Sequence, residues 1–398
     1  MTDLSINFAG IKSPNPFWLA SGPVANTATQ VMRAFDQGWG GAVWKTIGEP
    51  VTNVSSRYAG LYLGRNRMAG LTNIELSSDR EIAVNLRDIE TVKRHFPDHA
   101  VIASLMVQSR DEWHQLVKDS QNAGADGVEL NFGCPHGMCE RGMGSAVGQE
   151  PELVELITSW VMEVAKIPVI VKLTPNITDI TEPARAARRG GANAISLINT
   201  IKSIPGVDID HFVSYPMVGS RSTYGGFSGS AVKPIALNMV KSCAADSEIN
   251  LPISGLGGIE NWRDAVEFLL LGAESVQVCT AVMHCGYGII TKMVAGLEKY
   301  MDEKGFHTVD EMVGKALMNI GRWDELDLDY RTVAEIDPEK CINCKKCYVS
   351  CNDGAYQAIT FSTDCENRMP KINKEKCVGC NLCSLVCPVE GCISMVEI

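Results

Sequence analysis

The cysteines near the C-terminus constrain this chain more than any other feature. Cys341-x2-Cys344-x2-Cys347-x3-Cys351 is followed by Cys377-x2-Cys380-x2-Cys383-x3-Cys387-Pro388, the same spacing twice. Three closely spaced thiolates wrap three irons of one cubane, and the fourth thiolate of each run reaches the other cubane. The spacing therefore assigns Cys341, Cys344, Cys347 and Cys387 to one 4Fe–4S cluster and Cys377, Cys380, Cys383 and Cys351 to a second. Small or polar spacers at Asn343, Gly379 and Asn381 let backbone N–H groups approach the cluster sulfides. Zinc sites share the Cys-x2-Cys element, but tetrahedral zinc does not call for four cysteines in each tight run, nor for a repeat. Asn352 stands where a proline is expected after Cys351, and Cys365 and Cys392 fall outside the pattern and read as structural.

Ten of the fifteen cysteines lie between Cys341 and Cys392; the others are Cys134, Cys139, Cys243, Cys279 and Cys285. The start, Met1-Thr2-Asp3-Leu4, lacks a basic stretch followed by an apolar one. This points to a reducing, cytoplasmic setting, where dense cysteine serves metal ligation or catalysis in place of disulfides. No run reaches the roughly 18 apolar residues of a membrane span. A formal charge of −11 argues against nucleic acid and anionic membrane as partners. With 398 residues, 45% apolar and 21% charged, the chain has room for two or three ordinary globular domains.

Upstream, short apolar runs alternate with longer stretches of helical spacing. Candidate strands are 17–20, 42–45, 101–105, 127–131, 169–173, 194–198, 251–254 and 275–279. They are apolar on consecutive residues, as parallel strands covered on both faces should be. Several intervening helices end in Gly-Ala (Gly124-Ala125, Gly191-Ala192, Gly272-Ala273), a helix stop just before the next strand. Eight βα units predict a (β/α)8 TIM barrel over 1–305, with an open doubly wound sheet as the alternative. A charged helical connector is expected over 306–334 and a small α+β domain with the clusters over 335–398.

Barrels place chemistry at the C-terminal ends of their strands. There this sequence puts Ser21, Lys45-Thr46, Asn131, Lys172, Asn199-Thr200, Gly257-Gly258 and Cys279-Thr280, with Asn73, Glu75 and Ser228-Gly229 in neighbouring loops. Glycines after strands seven and eight, with Ser228 and Gly229 beside them, suit a phosphate, because bare backbone N–H groups can approach it. Lys45 and Lys172 point into the same mouth. A buried lysine needs negative charge beside it, which a flavin phosphate and the anionic edge of a reduced flavin would supply. Asn73, Asn131 and Asn199 offer donor and acceptor together, matching a flat lactam or imide; any one of them could equally be a turn or cap residue. Cys134 follows an apolar strand in a polar, glycine-rich loop, where its thiol could give or take a proton. Cys139, five residues on, is a rival.

Phe132-Gly133-Cys134-Pro135-His136-Gly137-Met138, Lys172-Leu173-Thr174-Pro175-Asn176, Thr223-Tyr224-Gly225-Gly226-Phe227-Ser228-Gly229 and Cys341-Ile342-Asn343-Cys344 resemble the dihydropyrimidine dehydrogenases over nearly the whole chain. The barrel is also similar to dihydroorotate dehydrogenase. The resemblance implies FMN, two 4Fe–4S clusters, and uracil or thymine with their dihydro forms as substrates. It implies hydride transfer between flavin N5 and pyrimidine C6, with Cys134 protonating C5. It places Asn73, Glu75, Asn131, Asn199 and Thr200 at the pyrimidine. Ser21, Lys45, Thr46, Lys172, Ser228, Gly229, Gly257, Gly258, Cys279 and Thr280 match the flavin positions. Cys139 departs from the small residue expected there. No Gly-x-Gly-x-x-Gly opens a helix after a strand, so a separate subunit with FAD and the NAD(H) site is expected, in a hetero-oligomer. The rival readings are dihydroorotate oxidation and an electron carrier whose barrel only docks.

Overall fold

In a computed structural model describing residues 2–64, 67–354, 356–361 and 369–398, eight parallel strands close into a barrel. They are β1 (Phe17–Leu19), β2 (Gly41–Val43), β3 (Ala100–Leu105), β4 (Gly127–Asn131), β5 (Val169–Lys172), β6 (Ala194–Leu197), β7 (Ile253–Leu256) and β8 (Ser275–Val278). Each pairs with the next, and β8 returns to β1 with Val276 opposite Phe17, which excludes the open sheet. Every residue of these strands is buried. That explains their unbroken apolar runs: one face fills the barrel and the other lies under helices.

The longer helices are α1 (Ala28–Phe35), α2 (Ile82–His95), α3 (Arg110–Asn122), α4 (Pro151–Met162), α5 (Thr181–Arg189), α6 (Lys233–Ala244), α7 (Trp262–Leu270) and α8 (Ile289–Lys304). Local chemistry sets their ends. Ser109 and Glu112 form a capping box at α3, and Asn261 and Asp264 another at α7. Helix α3 buries Trp113, Leu116, Val117 and Ser120, one stripe at helical spacing. The expected Gly-Ala stops hold: Gly124, Gly191 and Gly272 take φ of 85°, 93° and 103°, a left-handed turn that glycine adopts without a Cβ penalty. A hairpin of Ile6–Phe8 and Ile11–Ser13 precedes β1, and Phe8 meets Trp18 edge-on at 5.4 Å.

A second sheet, which the sequence reading does not anticipate, contributes to the mouth. Its antiparallel order is Ile201–Ser203, Gly225–Ser228, Arg67–Asn73, Tyr58–Leu63. Gly226 lies opposite Asn73 and Ser228 opposite Leu71.

The chain separates into two compact units, 1–320 and 321–398. The helical connector expected over 306–334 is corrected. That segment holds only 3₁₀ turns at Leu317–Asn319 and Trp323–Glu325, then a strand from Thr332. Its first part belongs to the barrel, because Val309 and Met312 are fully buried and Ala316 N–H donates to Leu270 O at 2.9 Å. In the second unit Thr332–Ile336 pairs with Ile393–Glu397 and Ile359–Phe361 with Pro370–Ile372, around helices Lys346–Gly354 and Leu382–Leu385. Cys365 lies outside the described residues. No helix among the described residues is long and apolar enough to cross a membrane.

Candidate active site and cluster cavities

The C-terminal strand ends open into a cleft of about 1220 Å³, counting the space that opens to solvent. Every barrel residue singled out in the sequence lines it except Cys139.

Lys172 ends β5 and Lys45 lies two residues beyond β2, 4% and 5% exposed, both lining this cleft. Both already face protein carboxylates. Lys45 Nζ donates to Glu75 Oε1 at 2.6 Å, and Lys172 Nζ lies 3.3 Å from Glu129 Oε1. The sequence reading assigned their countercharge to a ligand; the structure supplies it from the chain. Glu129 is fully buried within β4 and also accepts from Ser196 Oγ (2.8 Å) and Gln277 Nε2 (3.3 Å). Glu75 additionally faces Arg57 at 3.6 Å and accepts from Tyr58 OH. Burial, then the Glu75 hydrogen bond, hold that phenol well above its ordinary range.

The amides form a chain. Thr200 N–H donates to Asn199 Oδ1 (2.7 Å), Asn199 Nδ2 to Asn131 Oδ1 (3.0 Å), and Asn131 Nδ2 to Thr46 Oγ1 (2.9 Å). Thr46 in turn meets Ser21 Oγ at 3.2 Å and Ser104 Oγ at 3.0 Å. Asn73 Nδ2 donates to Gly226 O (3.1 Å), while its Oδ1 accepts from Glu75 N–H (3.3 Å). An amide nitrogen has two N–H bonds. Among the described residues, Asn73, Asn131 and Asn199 each keep one unspent in the cleft.

At the other end the backbone makes a cradle. Gly229, Gly257 and Gly258 take φ of 104°, 126° and 80°. A Cβ on Gly258 would stand 2.8 Å from Gly229 O and 2.9 Å from Lys233 N. Thr280 Oγ1 donates to Ser228 Oγ at 2.9 Å beside them. Cys279 lines the same end, and burial pushes its thiol up to about 11.

Cys134 lines the cleft, while Cys139 sits in the 3₁₀ turn Cys139–Arg141 and donates to Pro135 O at 3.3 Å. Burial raises the Cys134 thiol to about 11, against a smaller opposing effect of the His136 backbone; the thiol also donates to His136 O at 3.5 Å. His136 Nε2 lies 3.1 Å from Glu75 O and its Nδ1 is buried without a partner; burial keeps the ring below its usual range. Tyr58, Glu129, His136 and Gln277 are the lining and supporting groups that sequence reasoning missed. Glu129 had a signal, a carboxylate inside an otherwise apolar strand.

In the second unit two small cavities separate the cysteines. One is lined by Cys351, Cys377, Cys380 and Cys383, the other by Cys341, Cys344, Cys347 and Cys387. The fourth cysteine of each run thus lies with the first three of the other run. Cys392 also lines the second cavity.

Residues 3–301 match the family model for dihydroorotate dehydrogenase, and 334–395 match that for a 4Fe-4S dicluster domain. Over all 398 residues the chain is 45% identical to the NAD-dependent dihydropyrimidine dehydrogenase subunit PreA of Escherichia coli (strain K12), covering 96% of that protein. The chain belongs to the dihydropyrimidine dehydrogenase family. Over 79% of its length it is 43% identical to the chloroplastic dihydropyrimidine dehydrogenase (NADP(+)) of Arabidopsis thaliana, covering 77% of that enzyme. The catalytic subunit of dihydroorotate dehydrogenase B (NAD(+)) of Pyrococcus abyssi is 37% identical, but 99% of it aligns with only 79% of this chain. The chain is therefore an oxidoreductase whose barrel takes FMN and whose second unit takes 4Fe–4S clusters. The PreA relatives are named as subunits of a larger enzyme.

Proposed function

We propose that this chain reduces uracil or thymine reversibly to the 5,6-dihydro form. Electrons come from NADH through FAD on a separate subunit and then through the two clusters to FMN. The setting is the cytoplasm, where the thiols stay reduced. The observation that carries the reading is the cleft itself: the Cys134 thiol and three unspent amide N–H groups beside a glycine cradle and two lysines.

Gly229, Gly257, Gly258, Ser228 and Thr280 would hold the flavin phosphate, with Ser21, Thr46, Lys45, Lys172 and Cys279 along the rest of the cofactor. FMN bound there supplies hydride transfer. Asn73, Asn131 and Asn199 direct their free N–H groups at the carbonyl oxygens of the pyrimidine, backed by Thr200 and by Glu75. Cys134 gives its proton to the ring carbon adjacent to the one that takes hydride, so the product gains one hydride and one proton. Burial keeps that thiol protonated at neutral pH. The two cysteine sets that line the separate cavities hold the clusters, Cys341, Cys344, Cys347 and Cys387 one, Cys377, Cys380, Cys383 and Cys351 the other.

Dihydroorotate is disfavoured on charge. Both lysines of the described lining already face carboxylates, so a substrate carboxylate meets no spare cation. The test is anaerobic turnover of the chain co-expressed with its partner, comparing dihydrouracil with dihydroorotate. Faster turnover of dihydroorotate refutes the reading. Brisk NADH oxidation by this chain alone refutes the split of labour between subunits.

A further inference from the structure

The cysteine repeat is asymmetric at one buried position. Each run leads into a strand, Ile359–Phe361 after the first and Ile393–Glu397 after the second. The residue just before the strand is Ala358 in one case and Cys392 in the other, both 2% exposed. Each lines a cluster cavity, Ala358 the one with Cys351 and Cys392 the one with Cys387. One cavity thus presents a fifth thiol where the other presents a methyl group.

The backbone shows what the thiol replaces. Ala358 N–H donates to Cys351 Sγ at 3.3 Å, a hydrogen bond to the fourth cysteine of its run. The loop after Cys387 is two residues shorter (Cys387 to Cys392, against Cys351 to Ala358), and there Cys392 N–H turns to Val389 O at 3.3 Å. The fourth cysteine of the second run loses that backbone donor. In its place the side chain of Cys392 lines the same cavity as Cys387 and Cys341. The thiol also donates to Asp337 O at 3.9 Å, a long and weak hydrogen bond.

We infer that Cys392 is not a cluster ligand but an S–H donor to the cluster sulfurs at Cys387 and Cys341, and that it raises the reduction potential of that cluster. Hydrogen bonds to cluster sulfur stabilise the reduced, more negative state, so a donor moves the potential upward. Cys392 is a positioning residue for charge and touches no substrate. The inference rests on the cluster assignment proposed above.

The test is an anaerobic redox titration of the holoprotein followed by electron paramagnetic resonance, with iron and sulfide analysis. In Cys392→Ala, one cluster midpoint falls, the other stays, and iron content is unchanged. Cys392→Ser, which keeps a donor, recovers part of the shift. Ala358→Cys is the converse and raises the midpoint of the other cluster. Two unmoved midpoints in C392A with full iron overturn the inference. Loss of one cluster in C392A also overturns it, by making Cys392 a ligand. An iron deficit in the unsubstituted chain is a different failure, since it strikes the cluster assignment.

Discussion

Glu129→Gln isolates the electrostatics of the barrel interior. The substitution keeps the shape of a fully buried side chain and removes its charge, leaving Lys172, 4% exposed, without the carboxylate 3.3 Å away. Breaking a buried pair by deleting one partner costs about 3–5 kcal/mol, because the survivor's charge is stranded. Against the ~5–15 kcal/mol stability of a typical domain that is a large fraction. Lys172→Met strands Glu129 in the same way. The double substitution removes both charges, so its cost should fall short of the sum by about 0.5–3 kcal/mol. Urea unfolding of the flavin-free protein measures this, read by the fluorescence of Trp18, Trp39, Trp44 and Trp113, all buried to 1% exposure or less. Adding FMN should shrink the E129Q penalty, since an anionic cofactor beside Lys172 replaces part of the lost countercharge. An apoprotein penalty below about 1 kcal/mol, or additive single costs, refutes the claim that these two residues neutralise each other.

Cys134→Ala should retain flavin and clusters by visible spectrum yet lose ~10²–10⁴-fold in pyrimidine turnover, the usual worth of a positioned acid; Cys139→Ala should stay within a few-fold on the scale of that loss. With the Cys134 thiol at about 11, pyrimidine reduction should hold level through pH 7–10 and fall as pH passes the thiol's pKa. Dihydropyrimidine oxidation, which needs the thiolate, should rise over the same span; stopped-flow flavin traces in both directions check the opposite signs. Gly258→Ala places a Cβ against Gly229 O and Lys233 N, and should weaken FMN at least about tenfold, near 1.4 kcal/mol, in a fluorescence titration.

The barrel was legible because burial on both faces writes itself into sequence as continuous apolar runs, and the Gly-Ala stops mark where each helix ends. The lid-like sheet was not. Arg67–Asn73 pairs with Gly225–Ser228, over 150 residues along the chain, and no local pattern encodes a partner so distant. Glu129 escaped because its strand reads as core, so its carboxylate was passed over while the lysines were assigned to a ligand. The connector failed for a related reason. Charged residues suggested a solvent-exposed helix, while Val309 and Met312 anchor the segment's start in the barrel core. Cys392 was read as structural because the spacing rule has no place for a fifth thiol; only its position in the cavity gives it one.

The ladder between Arg67–Asn73 and Gly225–Ser228 acts as a ruler. Asn73, proposed to meet the pyrimidine, and Ser228, proposed to meet the phosphate, sit two rungs apart on paired strands, so neither can move along the strand without dragging the other. A slip of one rung would turn the side chains of the slipped strand to the opposite face and part the two residues. Efforts to enlarge the pocket for bulkier rings should therefore edit the turns flanking this sheet and leave its pairing intact.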